Sequence, residues 1–285
     1  MKSLMIVILV ISAGAVSLSA AFYILNRAAS GKPAFYLWEM VSRKAHGGKY
    51  AEVNGIRLYY KTYGGGSPVV ILHGGGGFLE MMHYQISALT PNRLVIAVDS
   101  RGQGRSTDSD EPLSYSLMAA DVLRLFDILK IEMADIVGWS DGGIIGLDIA
   151  ILHPRRVRRL VVIGANYDAE GLVSKPVLDA NIPSAPGFYR RNAPDPAHWP
   201  ILYRKIVKMQ QTQPHYSLDE LHQITAPTLV MAGEFDVIKR EHTDSLAKAI
   251  VNSEEEIIKD GTHAIPFEKP DQVNGLMLKF LSQER

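Results

Sequence analysis

The chain reads as an α/β fold, a mostly parallel sheet with helices on both faces, opened by an antiparallel hairpin. Three observations predict it. Short apolar runs recur, beginning at Val69, Arg93, Ala134, Leu160 and Thr228, and unbroken Val, Ile and Leu without polar alternation belong to strands buried on both faces. Helical patterns separate these runs, so successive strands are joined by right-handed crossovers. Ahead of the first run, Asn54-Gly55 stands between two β-rich stretches, the signature of a tight hairpin turn.

With 285 residues, 47% of them hydrophobic and 21% charged, the chain can bury the core of one large domain. The formal net charge is zero, which provides no electrostatic footprint for a phosphate backbone and argues against nucleic acid as a partner. The basic cluster "HPRRVRRL" from His153 is expected to cover a helix end and a sheet edge. The absence of cysteine removes disulfides, thiolate metal sites and a thiol nucleophile together.

Three segments follow from composition. Residues 4–25 carry no charge, and as a helix they would span about 33 Å, the thickness of a hydrocarbon layer. Residues 1–26 are therefore expected to form a hydrophobic helix serving as a transmembrane anchor or signal segment, so that the chain meets the membrane there and is anchored or exported, its domain outside the cytoplasm. Residues 27–49 read as a linker, punctuated by Gly31, Pro33, Gly47 and Gly48. Residues 50–285 form the domain. Within it, residues 166–225 interrupt the strand rhythm with repeated prolines and the aromatics Tyr167, Phe188, Tyr189, Trp199 and Tyr203. Short helices capping the C-terminal edge of the sheet account for this interval better than an unstructured loop of that length.

Against this frame the segment "GWSDGG" stands out. Gly138-Trp139-Ser140-Asp141-Gly142 closes a strand run and opens a helical one, the context in which a serine is held on a strained turn with its hydroxyl exposed. A serine nucleophile needs a base, an acid and amides that receive negative charge. "LHGGGG" ends an earlier strand. Its Gly75 amide, or that of Gly76, together with the Asp141 amide would form the oxyanion hole. The acid is expected after the strand "TLVMAGE", where Asp236 stands, with Glu234 as the near alternative. The base should come last in the chain, which selects His263. His73 is expected to support the glycine loop and His153 to cap a helix. His46, His83, His198, His215, His222 and His242 read as surface or cap residues.

Ordered as Ser140, Asp236 and His263, and with "LHGGGG", "DSRGQGRS", "GWSDGG", "GEFD" and "GTHAIPFEKP" in sequence, the chain from about Tyr50 to Phe280 resembles the α/β-hydrolase fold family. "GWSDGG" followed by "IGAN" is similar to its valacyclovir hydrolase or biphenyl-hydrolase-like branch. The resemblance implies a carboxylesterase-like serine hydrolase with a helical cap, acting on a small-molecule ester or amide and requiring no metal and no organic cofactor. "DSRGQGRS" would be a structural turn. Trp139, Asp141, Tyr167 and Trp199 are expected to touch substrate, with the Asp141 carboxylate attracting an ammonium of an α-amino acid ester or instead capping the helix it begins. Competing readings keep the triad but use it for carbon-carbon bond hydrolysis or cofactor-free peroxidase chemistry, or make the chain a non-catalytic membrane-tethered binding protein.

Overall fold

A computed structural model describes residues 47–176 and 182–283. Among the described residues eight strands, numbered β1 to β8 in chain order, form one sheet in the order β1-β2-β4-β3-β5-β6-β7-β8. The hairpin of β1 (Lys49–Val53) and β2 (Ile56–Tyr63) turns on Asn54 and Gly55, both left-handed with φ of 39° and 79°, the pair of values a two-residue hairpin loop demands. β2 runs antiparallel to β4 (Arg93–Val98). From there β3 (Ser67–Leu72), β5 (Ala134–Trp139), β6 (Val157–Ile163), β7 (Thr228–Phe235) and β8 (Ser253–Thr262) pair in parallel.

The apolar runs are continuous because each strand feeds two cores. In β3, Val70 and Leu72 join one hydrophobic cluster while Val69 and Ile71 join the other, as the two-residue side-chain period requires. The first cluster is covered by α2 (Tyr115–Ile128) and α3 (Asp141–Leu152), the second by α1 (His83–Leu89) and the C-terminal α9 (Pro270–Leu281). Between β6 and β7 the described residues form α4 (Gly187–Asn192), α5 (Trp199–Thr212) and α6 (Leu218–His222). α5 buries Leu202, Ile206 and Val207 in the first cluster. After β7 come α7 (Arg240–Ala249) and, beyond β8, the short α8 (Ile265–Glu268).

Two expectations need comment. The arginines of "HPRRVRRL" do not guard a sheet edge, because β6 lies between β5 and β7. Arg158 instead pairs with the buried Asp135 at 2.7 Å, and Arg93 reaches the same carboxylate at 2.7 Å. The proposed hydrophobic helix and anchor fall outside the described residues, among which no helix is long and apolar enough to cross a membrane.

Candidate active site

β5 and α3 meet at Ser140, whose φ of 54° and ψ of −122° lie where a residue with a side chain is held only by its surroundings, at a cost of about 1–3 kcal/mol. The surroundings supply the restraint. The Ser140 amide donates to Ile163 O at 2.8 Å, and its carbonyl accepts from Gly143 and Ile144 at 2.8 and 3.1 Å. The two flanking glycines are steric requirements, since a Cβ on Gly138 would collide with the Gly142 carbonyl and one on Gly142 with the Leu72 carbonyl.

This turn brings together three residues far apart in sequence. Ser140 Oγ lies 3.0 Å from His263 Nε2, and His263 Nδ1 lies 2.7 Å from Asp236 Oδ1. With the carboxylate as acceptor, Nδ1–H donates and Nε2 is left to accept the serine proton. Burial disfavours the Asp236 carboxylate, but the His263 charge, their hydrogen bond and the amides of Ile238 and Gly233 hold its pKa below the ordinary value. Burial likewise opposes the imidazolium. The Asp236 charge and hydrogen bond, with Asp141 behind them, outweigh it and raise the His263 pKa above its ordinary value. Glu234 is exposed and accepts the Asp260 amide at 2.9 Å instead.

The glycine loop runs beside the serine: a Cβ on Gly74 would stand 3.2 Å from Ser140 Cβ, and one on Gly75 would collide with the Asp141 carboxylate. Of the two amides considered for the oxyanion hole, that of Gly76 is committed to Gln103 Oε1 at 2.5 Å. His73 lies beneath the loop, accepting the Ser100 amide at Nε2 (3.0 Å) and donating from Nδ1 to Gly74 O (2.7 Å). Burial drives its pKa down to about 4 against the opposing pull of that carbonyl and of Glu80.

Asp141 does not cap α3; no side-chain capping bond is formed at that end of the helix. Its carboxylate accepts from Tyr115 Oη at 3.0 Å and from Gln210 Nε2, 3.2 Å from each oxygen. Burial raises its pKa against these two donors and the nearby His263. A small cleft at Ser140 and His263 is lined by Tyr115, Asp141, Asn166, Gln210 and Gln213 and by the apolar Leu172, Val237 and Ile238.

Three residues expected to meet substrate lie elsewhere. Trp139 is buried and donates from Nε1 to the His263 carbonyl at 2.9 Å. Trp199 is buried in α5, bonded to Pro183 O, and Tyr167 stacks on His242 with ring centroids 3.9 Å apart. Aromatic character marked them, but it marks packing as readily as binding. His242 is no surface residue either: its Nε2 accepts the Tyr167 and Asp168 amides, at 3.1 and 3.4 Å. His83 is buried, its Nδ1 3.1 Å from Glu80 O, and His46 lies outside the described residues. Tyr115, Gln210 and Gln213 were missed because α2, α5 and the residue just after α5 deliver them from distant parts of the chain, with no motif to mark them. Asn166 alone had a cue, as the last residue of "IGAN".

The geometry is matched by kinship. A family model described as the alpha/beta hydrolase fold matches residues 67–202. RutD of Agrobacterium fabrum, which carries the name of a carbamate hydrolase, is 31% identical over 245 residues, covering 75% of this chain and 93% of its own length. The chain belongs to the α/β-hydrolase family. Another α/β-hydrolase relative, the serine hydrolase BPHL of Mus musculus, is 28% identical over 251 residues, covering 80% of this chain and 84% of that protein. Among solved structures, CarC, a serine hydrolase of carbazole degradation, superposes with a TM-score of 0.70 at 24% identity, covering 83% of this chain and 99% of that one. The chain is thus an enzyme of the α/β-hydrolase superfamily.

Proposed function

We propose that this α/β-hydrolase cleaves carboxylic esters by two-step acyl transfer. The observation that carries the reading is Ser140 Oγ, lining the cleft, 3.0 Å from an imidazole that Asp236 orients. His263 Nε2 takes the hydroxyl proton as Oγ attacks the ester carbonyl, and Asp236 stabilises the imidazolium. The tetrahedral oxyanion is received by the Asp141 and Gly75 amides. Its collapse breaks the bond to the alcohol, which leaves with the proton from His263. Water then gives its proton to the same nitrogen, attacks the acyl-serine carbonyl and releases the acid, and the proton returns to Oγ.

The test is covalent. A fluorophosphonate probe should label the wild-type chain and not Ser140→Ala, and hydrolysis of p-nitrophenyl acetate should fall by a factor on the order of 10⁴ to 10⁶ in that variant. An unlabelled wild-type chain would favour a passive binding protein. The Asp141 carboxyl lines the cleft rather than capping its helix, which supports its use toward an ammonium on the acyl group. Matched esters with and without an α-amino group test this, and equal kcat/KM for the two would end it. The uncharged residues 4–25 support membrane attachment or export of the enzyme, which fractionation and external protease digestion of cells would test.

A further inference from the structure

We propose that Gln103 is a positioning residue for the oxyanion hole, its carboxamide fixing the orientation of the peptide that adjoins the Gly75 amide and hence the dipoles beside the reacting oxygen. The inference rests on the serine-hydrolase reading and goes beyond it to a residue of "DSRGQGRS", a segment the chemistry otherwise leaves idle.

Residues 74–77 form a four-residue turn closed by Gly77 N–H donating to Gly74 O at 3.1 Å. Gly76 is left-handed with φ of 66°, whereas Gly75 is not, which makes this a type II turn. Its type I alternative differs by a half-rotation of the peptide joining the two central residues. With glycine at both positions nothing steric forbids that flip. The flip changes ψ of Gly75 and φ of Gly76 in compensation, so the Cα path stays nearly in place while the Gly75 carbonyl and the Gly76 N–H trade sides of the loop beside Ser140 and Asp141.

The N–H of that same central peptide is the one that Gln103 Oε1 accepts at 2.5 Å. Gln103 is 1% exposed, and its own backbone is fixed by its amide donating to Ser100 O (2.8 Å) and its carbonyl accepting from Ser106 (2.9 Å). The loop and the Gln103 turn are tied at further points. Leu79 N–H donates to Asp99 Oδ1 at 2.6 Å, and Arg105 pairs with the buried Glu80 at 2.8 Å. A flipped peptide would set the Gly75 carbonyl against Gln103 Oε1, oxygen facing oxygen, and relieving this by turning the carboxamide would give up the contact of its Nε2 with Met118 Sδ at 3.9 Å. Gln103 thereby converts a turn with two permitted states into one with a single state, and it withdraws the Gly76 amide so that the oxyanion is served by Gly75.

The experiment compares Gln103→Met, which keeps length and loses the acceptor, with Gln103→Glu, which keeps an acceptor oxygen at the same reach. Each is assayed for kcat and KM on p-nitrophenyl acetate, for affinity toward an alkylboronic acid that forms a tetrahedral adduct on serine, and for melting temperature. Expected for Gln103→Met is a kcat loss of about 10- to 100-fold, somewhat less than the loss of one whole oxyanion donor, with KM within about twofold and boronate affinity falling in step; Gln103→Glu should recover most of the loss. A folded Gln103→Met variant with wild-type kcat overturns the proposal, as does a kcat loss without weaker boronate binding. Should the wild-type chain resist fluorophosphonate, the hydrolase reading fails separately, and a crystal structure of Gln103→Met decides the turn: a retained type II geometry refutes the lock.

Discussion

Replacing Trp139 by phenylalanine tests whether this residue is scaffold or substrate contact. The indole is 2% exposed and its N–H reaches across the site to the carbonyl of His263 at 2.9 Å, while its ring meets Phe267 edge-on at 5.2 Å. Phenylalanine preserves most of the packing and removes the donor. Depriving a buried carbonyl of its donor costs about 1–3 kcal/mol, and the smaller ring leaves a void adding about 1 kcal/mol, so the variant should lose about 2–4 kcal/mol. Because the freed carbonyl belongs to the residue bearing the imidazole, kcat should fall about tenfold with KM unchanged. Urea denaturation gives the first quantity and p-nitrophenyl acetate kinetics the second. A variant that keeps stability within about 0.5 kcal/mol and whose only defect is a raised KM would refute the scaffold role and restore Trp139 to the substrate surface.

Other outcomes follow from the same geometry. His263 must be neutral to take a proton, and Asp236 helps hold its pKa above the ordinary value against burial, so the acid limb of kcat/KM should have its midpoint above pH ~6.5. Asp236→Asn should move that limb to lower pH and reduce kcat by about 10⁴, which a pH-rate profile would detect; an unmoved limb contradicts the assignment. His73, with its pKa depressed to about 4 by burial, stays neutral in the folded chain while the unfolded chain takes up a proton below pH ~6.5. Stability should therefore decline as pH drops from about 6.5 to 4, His73 accounting for about 3 kcal/mol, and denaturation of His73→Gln should show a shallower pH slope than wild type. Gly75→Ala would drive a Cβ into the Asp141 carboxylate and to 2.7 Å from Gln210 Nε2; about 1–3 kcal/mol of destabilisation and a fall in kcat/KM are expected from thermal melts and ester assays.

How far the sequence carries depends on how local each determinant is. The hairpin was legible because Asn54-Gly55 meets a conformational demand within two residues, and the strands because burial on both faces writes itself as continuous Val, Ile and Leu. Ser140, Asp236 and His263 could be named because each follows a strand, so chain order and strand order alone place them at one edge of a parallel sheet. Aromatics misled: Trp139 and Trp199 are rich in contact area, and only the packing reveals whether that area meets ligand or protein.

By itself, then, the amino-acid order determined the layered architecture, the elbow and the identity of the three chain-ordered groups, since these rest on periodicity, glycine geometry and strand ends. Folding alone decided which walls the cleft has, that Asp141 is gripped by Tyr115 and Gln210 instead of capping its helix, and that Gln103 claims the Gly76 amide. The physical reason is separation: partners 26 to 69 positions apart meet only after the sheet and its crossovers have set their distance, and no local spacing in the chain encodes that meeting.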